Sequence, residues 1–167
     1  MSQYAPFADA AVSNDATNQS NTFISYYTYG AAVALGLDLT LRTRFDLDLD
    51  GYLRALWTKY GVHQANYTPT RPYTTADLRT TLGEYTKNTA FANDFFARYI
   101  EGREAIDYAP LLARAGLQLR PANANGATIG NVPMRFDSTG ATILAPVQEK
   151  SALYLAGLGT GDHVIDI

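Results

Sequence analysis

Three tyrosines in four positions, Tyr26, Tyr27 and Tyr29, followed by Gly30, are the residues of this chain best equipped for chemistry. A phenol both donates and accepts hydrogen bonds. Clustered where a helix begins, such residues read either as part of a site or as amphipathic packing groups, and the residues alone leave both readings open. Other reactive types are sparse. Asp46, Asp48, Asp50 and Gly51 reproduce the opening of a calcium loop, D-x-D-x-D-G, but the glutamate that must close such a loop at its twelfth position is Trp57 here. Leu47 and Leu49, alternating with the aspartates, belong to a core, so this run reads better as a helix start with Asp48 as N-cap. His63 and His163 lie a hundred residues apart, which sets aside a histidine-based zinc site within the chain. With no cysteine there is no disulfide, no thiol catalysis and no thiolate metal site.

The elements that position these residues come from composition and periodicity. Of 167 residues, 47% are hydrophobic and 17% charged, the balance of a chain that builds a core. A net charge of -3 leaves no electrostatic footprint for nucleic acid or an anionic membrane, and no apolar run reaches the length of a membrane span. Residues 1–22 read as an irregular or weakly helical lead-in, with Ser20 or Asn21 as N-cap of the next element. From Ile24 to Arg44 runs a helix of about twenty residues, free of proline and ending in Arg42 and Arg44, where cations suit a helix C-terminus. Ile24, Tyr27, Ala31 and Leu35 share one line with Asp38 and Arg42, which are spaced to pair. Val33, Leu37, Leu39 and Leu41 occupy the other faces, so burial on several sides is expected.

A second helix starts at Asp48 and ends at Gly61, with Leu49, Leu53, Leu56, Trp57 and Tyr60 at helical spacing. His63 falls in a loop with two prolines. Thr74 and Asp77 form a capping box before a third helix whose buried side is Leu78, Leu82 and Tyr85. Asn88 and Thr89 open a fourth, carrying Phe91, Phe95, Phe96, Tyr99 and Ile100 to Gly102. A fifth runs from Tyr108 to Ala115, with Pro110 in its first turn and Gly116 beyond its end. The pattern then changes: a linker at 120–126, strands over Thr128–Phe136 and Ala141–Val147 joined by Asp137-Ser-Thr-Gly140, a short helix over Ser151–Ala156, and a last strand from His163 to Ile167. Five residues make a short final strand, and the sequence is expected to be a fragment.

The helical part resembles a known family. Asn21-Thr-Phe-Ile-Ser-Tyr-Tyr-Thr-Tyr-Gly30, followed by Ala34-Leu-Gly-Leu-Asp-Leu-Thr-Leu-Arg42, is similar to the S-Y-Y-x-K-G and L-D-L-x-[IL]-R pattern of glycyl aminopeptidase-type zinc metallopeptidases. The likeness continues through Tyr52-Leu-Arg-Ala-Leu-Trp57, Tyr73-Thr-Thr-Ala-Asp-Leu-Arg79, Phe95-Phe-Ala-Arg-Tyr-Ile-Glu-Gly102, Asp107-Tyr-Ala-Pro-Leu-Leu112 and Ala115-Gly-Leu117. The family also carries a PDZ domain, and Ser151-Ala-Leu-Tyr-Leu-Ala-Gly-Leu158 followed by Gly161-Asp-His-Val-Ile165 resembles its first half.

The resemblance implies a mainly α fold: residues 1–119 as the helical C-terminal subdomain of a thermolysin-like catalytic domain, 120–126 as linker, and 127–167 as the start of a PDZ-like domain. It implies a parent enzyme that removes N-terminal residues, glycine or alanine, from peptides, with zinc held by an H-E-x-x-H motif and a glutamate upstream of Met1, and export in bacteria. The fragment alone is then expected to bind no catalytic zinc and to be inactive. Aligned on Gly30, the family's oxyanion-donating tyrosine is Tyr27, although Tyr29 stands where lysine is usual. The PDZ carboxylate loop is Thr128-Ile129-Gly130, which would receive a C-terminal peptide in a completed domain. The competing reading is a non-catalytic helical–PDZ module that binds peptides; a third is a structural helical domain whose tyrosines are core.

Overall fold

Helix α1, Tyr26–Phe45, owes its start to Ser25, whose hydroxyl accepts the Thr28 N–H at 3.4 Å, and its end to Asp46, which turns left-handed at φ 56°. The computed structural model describes residues 25–62, 66, 68, 71–122 and 126–166, which fall into two compact units, 25–119 and 120–166. The lead-in expected at 1–22, the caps expected at Ser20 and Asn21, and His63 lie outside the described residues. The observed cap is Ser25, and the helix opens at Tyr26; Ile24, expected to open it, lies outside the described residues.

In the first unit α1 buries one face. Val33, Leu37 and Leu41 are enclosed, Leu41 completely, whereas Tyr27, Ala31 and Leu35 on the opposite line are exposed. The expected burial on several sides holds in part: Gly36 also packs, against Ile106, and Asp38 is half-buried, whereas Arg42 continues the exposed line. Asp38 does more than pair with Arg42 at 2.8 Å; its second oxygen accepts the Leu49 N–H at 2.9 Å and fixes the entry to α2, Leu49–Leu56. Asp48 caps that helix by accepting the Gly51 N–H at 2.7 Å. The buried anchor of α2 is Tyr52, whose hydroxyl donates to the Leu78 carbonyl at 2.9 Å and whose phenol burial pushes well above its usual pKa. Leu53 and Trp57, expected to face the core, are 52% and 61% exposed.

Helix α3, Thr75–Thr86, carries the predicted capping box: the Thr74 N–H donates to Asp77 at 2.8 Å, and the Asp77 N–H returns to the Thr74 hydroxyl at 3.3 Å. Asn88 caps α4, Thr89–Phe95, and Asp107 caps α5, Tyr108–Arg114. Leu82, Phe91, Ala92, Phe95 and Phe96 complete the core around the α1 stripe. The second and fourth helices do not continue as plain α-helix: Trp57–Gly61 and Phe96–Ile100 are π-turns, closed by Val62 N–H to the Trp57 carbonyl and Glu101 N–H to the Phe96 carbonyl. Arg79 holds the second of these in place, ion-paired to Glu101 with its guanidinium 5.6 Å from the Phe96 ring centroid. Helix α5 is tied to α1 by Tyr108 Oη donating to the Ala32 carbonyl at 2.6 Å and by Arg114 donating to the Thr43 carbonyl at 3.2 Å.

The second unit is a small antiparallel sheet of order β1-β2-β3, with β1 Met134–Asp137, β2 Gly140–Ile143 and β3 His163–Val164. Met134 pairs with Ile143 and Asp137 with Gly140, and Ala141 pairs with Val164. Gly140 at φ 151° is needed because a Cβ there would run into the Val164 carbonyl of β3. The one-turn helix α6, Ala152–Leu155, is capped by Ser151 and places Leu153 beside Ile143 and Val147 as the core. All three strands are shorter than the sequence pattern suggests. Gly130 at φ 85° and Pro133, which has no N–H to donate, precede the start of β1, Leu144 and Pro146 flank the end of β2, and 165–166 fall outside the strand β3; Ile167 lies outside the described residues.

The packing sets two stability outcomes. Leu82→Ala, at a fully enclosed position, lowers unfolding free energy by about 2–5 kcal/mol in urea titration, whereas Leu35→Ala, at a half-exposed one, stays within about 0.5 kcal/mol. The Arg42 hydrogen bond foremost, with the Leu49 N–H assisting, holds the Asp38 carboxyl below its ordinary pKa against the opposing effect of burial. Its stabilisation is therefore complete above the unfolded value of about 3.9 and is lost as pH falls through the lower folded value. Asp38→Asn flattens that part of the acid-unfolding curve; an unchanged curve would mean the carboxylate contributes nothing there.

Candidate functional site

The first turn of α1 separates the three tyrosines by helical geometry alone. Tyr27 is 75% exposed and Tyr26 46%, their ring centroids 4.3 Å apart at an interplanar angle of 32°. Tyr29, two positions on, turns inward, is half-buried against the core, and donates its hydroxyl to the Glu104 carbonyl at 3.5 Å. The packing reading therefore fits Tyr29, while the rings of Tyr26 and Tyr27 stand outside the core of this unit. The Tyr26 phenol has a raised pKa, chiefly because it is hydrogen-bonded to Tyr27 and to a lesser degree through burial. A raised value means that the neutral form of Tyr26 is favoured.

Gly30, one turn beyond Tyr27, lies at the end of an apolar groove of about 530 Å³ whose walls include Val33, Leu37, Tyr52, Leu56, Leu78 and Phe96. Among the described residues no charged side chain lines it. The groove runs along the buried stripe of α1, so the same helix presents a hydroxyl at its start and an apolar channel along its flank. Nothing in the sequence pattern locates this groove; its only signals are that Leu53 and Leu56 exceed what one helix face needs and that Tyr73 follows a proline.

In the second unit Thr128, Ile129 and Gly130 precede β1 and lie outside the ladder, all three exposed. The Gly130 N–H donates to the Thr128 hydroxyl at 3.1 Å, so this loop closes on its own side chain. A polar relay that the sequence does not reveal sits across the β strands. Thr139 donates its hydroxyl to Asp137 at 2.5 Å; His163 meets Thr139 through Nε2 at 3.0 Å and Thr142 through Nδ1 at 2.9 Å. The Thr139 hydroxyl first, then its N–H, keeps the Asp137 carboxyl below its ordinary pKa. The relay links the hairpin turn to the returning strand, a pairing of residues 24 and 21 positions apart that no local pattern encodes. Among the described residues no three histidine, aspartate or glutamate side chains converge as metal ligands, and no helix is long and apolar enough to cross a membrane.

Tyr27→Phe removes the hydroxyl that is the main cause of the raised Tyr26 pKa, so the Tyr26 pKa falls toward the ordinary phenol value of about 10. Site-resolved NMR titration of labelled tyrosine reads this directly, and an unmoved Tyr26 would show that the two hydroxyls are not bonded. Set beside models of protein families, curated proteins and solved structures, the chain matches none of them.

Proposed function

We propose that residues 25–119 are the helical half of a zinc aminopeptidase catalytic domain and that Tyr27 donates its hydroxyl to the oxyanion formed at the scissile carbonyl. The observation that carries this reading is the exposed Tyr27 phenol, its ring centroid 4.3 Å from that of Tyr26, on the first turn of a capped twenty-residue helix. A donor aimed at developing charge is worth a few kcal/mol to an acyl-transfer transition state when it is preorganised. Here the Ser25 cap and the Tyr26 ring limit where the Tyr27 ring can go, and the positive end of the α1 dipole favours negative charge nearby.

The zinc ligands are not supplied by the described residues, so the metal belongs to an upstream H-E-x-x-H motif in this reading; there it would polarise the carbonyl and activate water. What this chain does is hold the donor and offer the apolar groove beginning at Gly30 to substrate side chains. Tyr29 in place of the family's usual lysine is packed inward, and the substitution leaves the Tyr27 position intact.

For the second unit we assign a PDZ-like role. Its hairpin, one-turn helix and returning strand follow the family order, and Thr128-Ile129-Gly130 is the loop for a peptide's terminal carboxylate. Binding there requires the Gly130 N–H to exchange the Thr128 hydroxyl for the ligand.

Kinetics of the protein extended to include the zinc motif test the catalytic assignment. Tyr27→Phe lowers kcat by more than about tenfold with KM nearly unchanged, the signature of an interaction made only in the transition state. An unchanged kcat removes Tyr27 from the mechanism.

A further inference from the structure

Among the described residues, the outer edge of β1 is an open hydrogen-bonding template. The Ile143 N–H donates to the Asp162 carbonyl and the Ile143 carbonyl accepts the Gly161 N–H, both at 2.9 Å, so Ile143 turns its backbone toward the β3 side. The Leu144 N–H, one residue on, donates to the Pro133 carbonyl at 2.9 Å. With the alternation of an antiparallel ladder, Arg135 and Asp137 then bond to β2, while Met134 and Phe136 direct their N–H and carbonyl groups away from it. Among the described residues β1 has β2 as its sole strand neighbour. Side chains alternate too. Phe136 shares the face of its partner Ala141, which is buried, yet Phe136 itself is 75% exposed. Arg135 and Asp137 project from the opposite face, both exposed.

Such edges usually carry blocking features. This one, short and flanked by Pro133, also carries a self-complementary sequence. Laid antiparallel on a second β1 with Phe136 opposite Phe136, the strand places Arg135 of each copy opposite Asp137 of the other. Phe136, with its backbone facing outward, then forms the hydrogen-bonded pair, exchanging two N–H to carbonyl bonds across the twofold axis. Arg135 and Asp137 fall at the non-hydrogen-bonded positions, where facing side chains approach most closely. The two phenylalanines meet on the apolar face, each covering the ring that its own chain leaves bare. A register shifted by one residue would oppose Arg135 to Phe136 and forfeit both ion pairs.

We infer that the β1 edge is a homotypic docking strand, joining two copies of this chain through paired Phe136 residues and reciprocal Arg135–Asp137 ion pairs. So few paired positions bury little surface, and the association is weak and concentration-dependent. Because the ion pairs are exposed, it also weakens as salt rises.

Sedimentation velocity of the 167-residue chain over a concentration series tests this. The weight-average sedimentation coefficient rises from the monomer toward the dimer value. Arg135→Glu and Asp137→Lys each place like charges opposite one another in a homodimer and weaken association by about tenfold. An equimolar mixture of the two variants regains it, since the introduced glutamate of one chain then faces the introduced lysine of the other, and the native Arg135–Asp137 pair survives on the second side. Phe136→Pro removes an outward N–H without touching the β1–β2 bonds and abolishes association while the unfolding midpoint is kept. A wild-type chain that is monomeric throughout the series overturns the proposal and leaves the edge to an unrelated strand or to none. Association that persists in Phe136→Pro, or variants that fail to complement on mixing, overturns it equally by placing the contact elsewhere.

Discussion

Everything in the helical unit depends on the contact between the Val33–Leu37–Leu41 stripe of α1 and the aromatic face of α3 and α4. Leu41 and Leu82 are fully enclosed, and Phe91, Phe95 and Phe96 close around them. Phe45 extends the stripe by one turn, its ring centroid 4.8 Å from that of Phe91, and the Arg44 guanidinium lies 5.3 Å from the same Phe91 ring. A stripe of this width burying one side of a long helix fixes its rotation about its axis. Once that rotation is set, Tyr29 has to face inward and Tyr27 has to face out. The chemistry proposed for Tyr27 is thus a consequence of core packing two turns away.

The ends of the helices are equally constrained. Ser25, Asp48, Thr74, Asn88 and Asp107 each cap a helix with a side-chain oxygen, leaving few of the first-turn N–H groups to water alone. Asp38 is the exception in kind: a mid-helix carboxylate that reaches across to the first N–H of α2. It joins two helices through one charged group, which makes the α1–α2 corner sensitive to acid in a way the aromatic core is not.

Much of this is legible in the sequence, and the reasons are local. The capping box at Thr74 and Asp77, the Asn88 and Tyr108 starts, the Asp38–Arg42 pair and the aromatic run from Phe91 all depend on residues within four positions of each other, as does the change from helices to a hairpin near residue 120. What stays hidden depends on distant partners. Tyr52 does not stand out as an anchor because its value lies in the Leu78 carbonyl 26 residues away. Leu53 and Trp57 fit a helical period but face outward, since period alone does not say which of two apolar lines meets a neighbour. The π-turns widen the helix by one residue without altering composition, and β1 begins only after Gly130 and Pro133, a limit that hydrophobic alternation does not mark. At the candidate site, the exposure of Tyr27 cannot be read from a run of tyrosines, because the same run satisfies a packing role and a donor role until the helix is rotated into place.

The central claim is that this helical unit completes a zinc site whose metal ligands lie outside it. Sequencing the reading frame upstream of Met1 tests that most directly. The account predicts an H-E-x-x-H motif on one helical face with a glutamate on a later helix. A frame without them would contradict the peptidase reading and return Tyr27 to the role of an exposed surface residue.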